Sequence, residues 1–162
     1  MSVRLLELCG GLPLREISEG EVLVAEGARS GSIFVVADGT FAVTRQGERV
    51  AVIAEPGAVV GEISVLLDTP HGATVVASSP GRVHVIEQPD QFIATHSDAL
   101  MEITKTLAVR LNRLVGYLAD VKAQYGEAGG NLGLIDDVLS ELTFGEQPVA
   151  EPGSARDPDP YY

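Results

Sequence analysis

The stretch from Gly57 to Ala77 contains the residues whose types and spacing could bind a ligand. Gly61 and Glu62 precede a short apolar run that could form one or two helical turns. The backbone N–H groups of Ile63 and Ser64 would then be free donors at a helix start, where the helix dipole favours an anion. The Glu62 carboxylate would accept hydrogen bonds from hydroxyl groups such as those of a ribose. The pattern predicts a site for a ligand that carries both an anion and hydroxyl groups.

The residues that follow are expected to close this site on a second side. Thr69-Pro70 predicts a tight turn that returns the chain to a strand beside the helix start. Gly72 and Ala73 lie at this return, and both are small enough for a ligand to approach the backbone.

This segment closely resembles the phosphate-binding cassette of the cyclic-nucleotide-binding domain family, which includes catabolite-activator-type regulators, regulatory subunits of cyclic-AMP-dependent kinase and cyclic-nucleotide-gated channels. The family pattern is Gly-Glu, two residues, an apolar turn, then Pro-Arg-x-Ala-Thr/Ser-Val and Ala. The matching residues here are Gly61, Glu62, Pro70, Ala73, Thr74, Val75 and Ala77, and Gly20, Gly27 and Gly39 resemble barrel glycines. The resemblance covers roughly residues 5–125. It implies cyclic AMP or cyclic GMP as ligand, bound by Gly61, Glu62, Ile63, Ser64, His71, Gly72, Ala73 and Thr74.

One position departs from the family pattern, because His71 stands where the family has an arginine that binds the cyclic phosphate. Losing a charge-assisted hydrogen bond costs ~1.5–3 kcal/mol, and each ~1.4 kcal/mol is tenfold in affinity. Histidine has an unperturbed pKa of ~6.5, so it is mostly neutral near pH 7. We expect nucleotide binding to be weak or lost, and to strengthen as pH falls from about 7.5 to 6. Structural roles stay open: Glu62 as a helix cap or the partner of a barrel arginine, and His71 as a surface residue at a strand end.

The elements that must position this site are mostly short strands separated by glycines. A short helix is predicted at residues 3–8. Asp38-Gly39 and Gln46-Gly47, each between two β-rich runs, predict hairpins with two-residue turns. The predicted strands are Val22–Ala25, Ser32–Ala37, Thr40–Arg45, Arg49–Ile53, Ala73–Ser78 and Arg82–Glu87. Strands of this number and spacing predict an antiparallel β-barrel or jelly roll.

After the strands, apolar residues recur every three or four positions and predict an amphipathic helix from about Ser97 to Gln124. The chain is thus expected to comprise a barrel with a short N-terminal helix (1–96), a long helix (97–125), and a glycine hinge, short acidic helix and disordered proline-rich tail (126–162). The apolar stripe exceeds what one small barrel needs, and in the family this helix pairs with its symmetry mate. A two-fold homodimer through Leu107, Leu111, Leu114 and Leu118 is predicted, with burial against the chain's own barrel as the alternative.

The final segment carries a second amphipathic pattern. One face of its potential helix holds Leu134, Ile135, Val138, Leu139 and Leu142, with acidic residues opposite. Such a face predicts docking into a groove of a partner protein, with packing on the chain's own barrel as the alternative. The residues after Gly126 are acidic and broken by glycine and proline, so they cannot form the helix-turn-helix domain that often follows this barrel.

Charge excludes several classes of partner. The net charge is −12: residues 127–162 hold eight acidic side chains and one basic, and residues 1–126 hold 15 and 10. An acidic chain is unsuited to nucleic acid or to anionic membranes. The first twelve residues predict no signal peptide, and no stretch approaches the ~20 apolar residues that span a bilayer. We therefore expect a cytoplasmic protein that binds neither nucleic acid nor membrane.

Metal and enzyme chemistry are also not indicated. The three histidines, His71, His84 and His96, lie far apart in sequence, without the close spacing of a metal-binding barrel or an evident haem ligand. The single cysteine, Cys9, is expected to be a small buried hydrophobe. No catalytic motif is present. The sequence predicts a non-enzymatic sensor or regulatory module without metal or cofactor; the alternative is a dimeric scaffold or adaptor with a degenerate pocket that docks a partner through its acidic C-terminal segment.

Overall fold

The computed structural model of the chain describes residues 3–125 and, beyond them, the four helical positions 135, 138, 139 and 142. In chain order the elements are α1 (Val3–Leu8), β1 (Leu14–Ile17), β2 (Val22–Val24), β3 (Ile33–Asp38), β4 (Phe41–Arg45), β5 (Glu48–Ile53), β6 (Val59–Val60), α2 (Glu62–Leu66), β7 (Thr74–Ala77), β8 (Gly81–Ile86), α3 (Pro89–Thr95) and α4 (Ser97–Tyr125). The predicted helix at 3–8, the six predicted strands and the long helix are all present. The sequence did not predict β1, β6 or α3.

The strands form two four-stranded antiparallel sheets. The strand order is β1-β8-β3-β6 in the first sheet and β2-β7-β4-β5 in the second. Strands close in sequence therefore often lie in different sheets, as in a jelly roll. The predicted fold class, an antiparallel β-barrel or jelly roll with a long C-terminal helix, is confirmed.

Strand β3 is buried on both faces and separates two hydrophobic cores. Phe34 and Val36 point between the sheets, where they pack with Phe41, Val75 and Val83. The alternate residues of β3 point to the opposite face and pack with residues of α1, α3 and the start of α4; this second core includes Ile33, Val35, Leu5, Cys9, Ile86, Phe92, Ala99 and Ile103. A side-chain period of two thus divides one apolar run between two cores.

The predicted hairpin at Asp38-Gly39 is wrong. Strand β3 pairs with β6 and β8, whereas β4 pairs with β5 and β7, so the chain crosses from one sheet to the other at Gly39. A type I′ turn needs positive φ at both central residues. Only Gly39 has it, at 95°, because Asp38 still belongs to β3 and accepts a 2.7 Å hydrogen bond from Nε of Arg82 on β8.

The crossing requires glycine in both of the segments that meet there. A Cβ added to Gly39 would lie 2.6 Å from the Cα of Gly81, and one added to Gly81 would lie 2.7 Å from the carbonyl oxygen of Asp38. The Asp38-Gly39 pair therefore marks a place where the backbone comes into close contact with the backbone at Gly81.

The hairpin predicted at Gln46-Gly47 is confirmed. Strands β4 and β5 are antiparallel partners, with Arg45 opposite Glu48 across a two-residue loop. Gln46 and Gly47 have φ values of 52° and 84°, so both central residues are left-handed as a type I′ turn requires.

The chain divides into two compact units, residues 1–107 and 108–162. The division falls within α4, whereas the sequence placed a boundary at the start of the helix. In the first unit, Ala99 and Ile103 of α4 are fully buried and Leu107 packs against the second core. None of the described helices is long and apolar enough to cross a membrane.

Candidate functional site

The candidate site begins at Gly61, whose backbone conformation only glycine adopts readily. Gly61 has φ 88° and precedes the first residue of α2. A Cβ at this position would lie 2.9 Å from the carbonyl oxygen of Ser32. The loop before β3 therefore fixes where α2 starts, and with it the position of Glu62.

Helix α2 spans only Glu62–Leu66 and buries two polar residues. Glu62 is 3% exposed and Ser64 is 8% exposed, whereas Ile63 is 52% exposed. The Ser64 hydroxyl donates a 2.5 Å hydrogen bond to the carbonyl of Thr69, and the Thr69 N–H donates to the carbonyl of Ser64 at 3.1 Å. The Ser64 side chain thus holds the turn after α2 and keeps the helix against the returning chain.

His71 is not a surface residue at a strand end, and that alternative is wrong. The side chain is 6% exposed, and its Nε2 lies 2.9 Å from the Ser30 hydroxyl. The backbone is fixed as well: the His71 N–H donates to the carbonyl of Ala28, and the His71 carbonyl accepts from the N–H of Gly27, both at 2.8 Å. The loop between β2 and β3 therefore pairs with the cassette on either side of His71.

Burial determines the charge state of this histidine. Removal from water lowers the pKa of His71 below its ordinary value, because desolvation disfavours the imidazolium. No charged group contributes to this change. His71 is therefore held as neutral imidazole at pH 7.

The imidazole lies beside the start of α2. Its Cε1 atom would be 3.4 Å from a Cβ built on Gly61. The fold thus brings His71 next to Gly61, although the two are ten positions apart in the sequence. The space next to Gly61, where the resemblance implies an anion, is bordered by a neutral ring.

The other predicted cassette residues line a more open edge. Gly72 is exposed, and a Cβ on it would meet no atom within 4 Å. Ala73 and Thr74 are half-buried, and the Thr74 hydroxyl accepts a 2.9 Å hydrogen bond from the N–H of Glu26. The space beside Gly72 is open, and ligand binding there stays a prediction from the sequence.

Sequence reasoning missed the loop between β2 and β3. Ser30 holds His71, Ser32 contacts Gly61, and Arg29 donates a 2.7 Å hydrogen bond to the Asp68 carboxylate just after α2. Both side chains of that ion pair are largely exposed, so it contributes little stability. Gly27 was the only sequence feature that pointed to this loop, since nothing in the local sequence links residue 30 to residue 71.

The remaining histidines lie elsewhere. His84 is on β8, and its Nδ1 is the one buried side-chain nitrogen or oxygen of the described chain without a hydrogen-bond partner. His96 follows α3 and stacks on Phe92, with ring centroids 4.6 Å apart. Within residues 3–125 and the four positions beyond, no three His, Cys, Asp or Glu side chains form a group suited to a metal ion.

Two surface clefts lie away from the cassette. One, of about 370 Å³, is lined by Glu16, Glu19, Asp38 and Arg82 among others. The second, of about 330 Å³, is lined by Pro13, Gln91, Phe92 and His96 among others. Neither contains a cassette residue, and the chemistry of the predicted site rests on the residues around Gly61.

Of the predicted interface and docking residues, the structure describes all but Leu134, which lies outside the described residues. On α4, Leu107 and Leu118 are half-buried, whereas Leu111 and Leu114 are 44% and 48% exposed. Beyond α4, Ile135, Val138, Leu139 and Leu142 are helical and half-buried.

Comparison with known proteins identifies this architecture. The family model described as "Cyclic nucleotide-binding domain" matches residues 14–95, slightly more than half of the chain. A protein described with a cyclic-GMP-dependent signalling pathway that regulates bacterial phytopathogenesis is 23% identical, with a TM-score of 0.58 over 70% of this chain and 95% of its own. The catabolite activator protein of Thermus thermophilus is 21% identical, with a TM-score of 0.58 over 74% of this chain and 55% of its own. A cyclic nucleotide-binding domain from Methylobacillus flagellatus KT is 19% identical, with a TM-score of 0.57 over 67% of this chain and 77% of its own. The likeness to these structures is one of fold.

Proposed function

Because this chain belongs to the cyclic nucleotide-binding domain family, we propose that it is a non-enzymatic sensor or regulatory module whose cassette binds cyclic nucleotides weakly or not at all. The cassette has His71 where the family has an arginine. The family's ligand class is a cyclic nucleotide, and cyclic AMP and cyclic GMP are the two candidates. A cytoplasmic location stays a prediction from the sequence.

The observation that carries this proposal is the environment of His71. The ring is buried and its Nε2 is engaged with Ser30, and burial lowers its pKa. A neutral imidazole has one N–H donor, whereas arginine offers five donors with a fixed charge. A cyclic phosphate at this place would therefore lack the charge-assisted bond that usually holds it.

The backbone around Gly61 supports a cassette of reduced affinity. Gly61 has the left-handed conformation that starts α2, Glu62 lies beside it, and the backbone at Gly72 is open. These features support weakened binding over a complete loss of binding.

Calorimetric titration of the full chain with cyclic AMP and with cyclic GMP at pH 7.5 tests the proposal. We expect either no measurable heat or a dissociation constant well above about 1 µM, which corresponds to about −8.2 kcal/mol. Any heat should vanish in Glu62→Gln if it arises in this cassette, because the amide replaces the carboxylate acceptor. Submicromolar binding by the parent protein would contradict the proposed weak cassette.

The second candidate function, a dimeric scaffold or adaptor with a degenerate pocket, is favoured by one observation on α4. Leu111 and Leu114 are nearly half exposed on one face, and Tyr117 and Val109 are exposed nearby. Exposed apolar side chains clustered on one helix are typical of an interaction surface. A homodimer through Leu107, Leu111, Leu114 and Leu118 remains our proposal for that surface, and either function can use it.

A further inference from the structure

Part of the apolar face of α4 is covered. Val115, Leu118 and Val121 are half-buried, whereas Leu111 and Leu114, which lie earlier on the same face, are 44% and 48% exposed. At about 100° per residue these five positions lie within one arc of roughly 120°. Something therefore shields the last two turns of this face and leaves the preceding turns open.

The same compact unit contains a second set of shielded apolar residues. Ile135, Val138, Leu139 and Leu142 are helical and half-buried, and residues 108–162 form one unit. Their spacing of three, four and seven residues places all four on one face of a helix. A short helix cannot bury its own apolar face, so these four side chains need an apolar surface within the unit.

The two surfaces agree in size. At ~1.5 Å per residue, Ile135 to Leu142 spans about 10 Å, and Val115 to Val121 spans about 9 Å. The connection 126–134 has nine residues, four of them glycine. Nine residues reach up to about 30 Å when extended. That is ample for the chain to turn back along α4.

The charges of the two surfaces are also complementary. Residues 108–125 of α4 carry Arg110, Arg113 and Lys122 against one acid, Asp120. The stretch from 134 to 142 carries Asp136, Asp137 and Glu141 and no base. Arg110, Lys122 and Leu139 each take part in a hydrogen bond or other polar or charged interaction. The two stretches therefore carry net charges of opposite sign.

We propose that the segment 135–142 docks on the Val115–Val121 face of α4 in its own chain. A short glycine-rich connection favours neighbouring antiparallel helices. The occupant of this face is thus a segment of the same chain, and the partner-protein groove predicted for this segment is replaced by an intramolecular one. The exposed turn at Leu111 and Leu114 lies just beyond its reach.

Cysteine cross-linking in the full chain tests the contact. Leu118→Cys is combined in turn with Val138→Cys, Leu139→Cys and Leu142→Cys, since a disulfide needs Cα atoms about 4.4–6.8 Å apart. The native Cys9 is fully buried and is left in place. After mild oxidation we expect at least one pair to form a disulfide within one chain, seen as a faster monomer band without reductant. The matched control replaces Leu118→Cys by Asn112→Cys, which lies about 120° around α4 from Leu118 and before the covered turns, and should not cross-link.

Disulfides that form only between chains would assign the covered face to a second copy and overturn the proposal. Equal cross-linking in the Asn112→Cys control would overturn it as well.

Hydrogen exchange of residues 115–121 gives an independent measurement. Leu139→Asp places a charge in the proposed contact, and Ser140→Asp places the same charge on the opposite face of the segment. We expect Leu139→Asp to speed exchange of these amides by at least about tenfold, equivalent to about 1.4 kcal/mol. Ser140→Asp should change it by no more than about twofold. Equal exchange in the two variants, or protection in the parent that disappears on dilution, would refute docking within one chain.

Discussion

Arginine and neutral histidine differ in what they offer a phosphate: arginine has a fixed charge and a planar fork of donors, and imidazole has one donor. In this chain the difference is increased by the surroundings of residue 71. The ring is buried against Gly61 and engaged with Ser30, so neither solvent nor a neighbouring acid favours its charged form. In the proposed function, this one residue accounts for the weak binding of the cassette.

We predict that His71→Arg tightens cyclic-nucleotide binding by at least about tenfold, the low end of what a charge-assisted hydrogen bond contributes. The backbone at position 71 is fixed by Gly27 and Ala28, so the new side chain starts beside Gly61. Calorimetry on parent and variant at pH 7.5 measures the difference. His71→Gln is the control, since it is neutral and should bind no more tightly than the parent. Equal affinity in His71→Arg would mean that the pocket is closed by other groups, and the scaffold function would then take precedence.

Stability should depend on pH through the same residue. The pKa of His71 is lower in the folded chain than its ordinary value of ~6.5 because of burial. The unfolded chain therefore takes up this proton first. The stability contribution is complete above about pH 6.5 and is lost as pH falls below that value. Urea unfolding at pH 7.5, 6.5 and 5.5 should show a smaller loss for His71→Gln than for the parent, whereas identical pH profiles would exclude His71 as the source.

Cys9 should be almost inert in the folded protein. Its side chain is fully buried, and burial raises the pKa of the thiol to about 11, so the reactive thiolate is scarce at pH 8. We expect a thiol reagent such as Ellman's reagent to react at least about a hundredfold more slowly in buffer than in denaturing urea. Comparable rates in the two solutions would mean that α1 detaches readily.

At the residue scale, the sequence predicts what is local. The spacing from Gly61 to Ala77 predicts the cassette and marks His71 as the departure from the family pattern. It could not predict that His71 is buried, because Ser30 lies 41 positions away and loop-to-loop contacts have no sequence period. The ion pair between Arg29 and Asp68 could not be predicted for the same reason.

Turns determine where secondary-structure elements begin and end. Two dipeptides of similar composition form different connections in this chain. Asp38-Gly39 has the composition most favoured in type I′ turns, yet it joins two sheets, since Asp38 pairs with Arg82 across the β3–β8 ladder. Gln46-Gly47 has a less favoured first residue and forms the hairpin. Strands β1 and β6 were missed because Leu14–Ile17 is mostly exposed and Val59–Val60 is too short to have a period.

Alanine substitutions at the two glycines separate backbone conformation from close contact. Both have positive φ, which costs an alanine about 1–2 kcal/mol. Gly47 has open space around it, whereas a Cβ on Gly39 would meet the Cα of Gly81 at 2.6 Å. We expect Gly47→Ala to lower the free energy of unfolding by about 1 kcal/mol and Gly39→Ala by clearly more, about 3 kcal/mol or above. Equal losses in urea denaturation would show that the sheets can separate at Gly39 without cost.

At the scale of the whole molecule, the exposed part of the α4 stripe makes assembly testable. We predict a two-fold dimer, seen by light scattering at tens of micromolar as twice the chain mass of 17.0 kDa. Leu111→Asp should weaken it by at least about tenfold, because an interface charge without a partner costs several kcal/mol. Asn112→Asp adds the same charge beside it on another face and should leave the dimer intact. A monomer at all concentrations would remove the dimer from both proposed functions.

The docked segment and the dimer share Leu118, so the two contacts should compete. Leu139→Asp is expected to undock the segment, expose the last two turns of α4 and strengthen the dimer by several-fold in sedimentation, with Ser140→Asp as its control. An unchanged dimer constant in Leu139→Asp would mean that the two contacts are independent.

The position of β8 in the first sheet has a consequence for how the protein is made. Among the described strands β1 pairs only with β8, and Leu14 lies opposite His84. Translation at ~5–20 residues per second separates these two residues by roughly 4–14 seconds. During that interval the nascent chain on the ribosome presents β1 and one side of β3 as unpaired edges, the kind of surface that promotes wrong pairing between chains. The barrel therefore closes only when its last strand has been synthesised, and chaperones that bind exposed strand edges have their opportunity before Gly81 emerges.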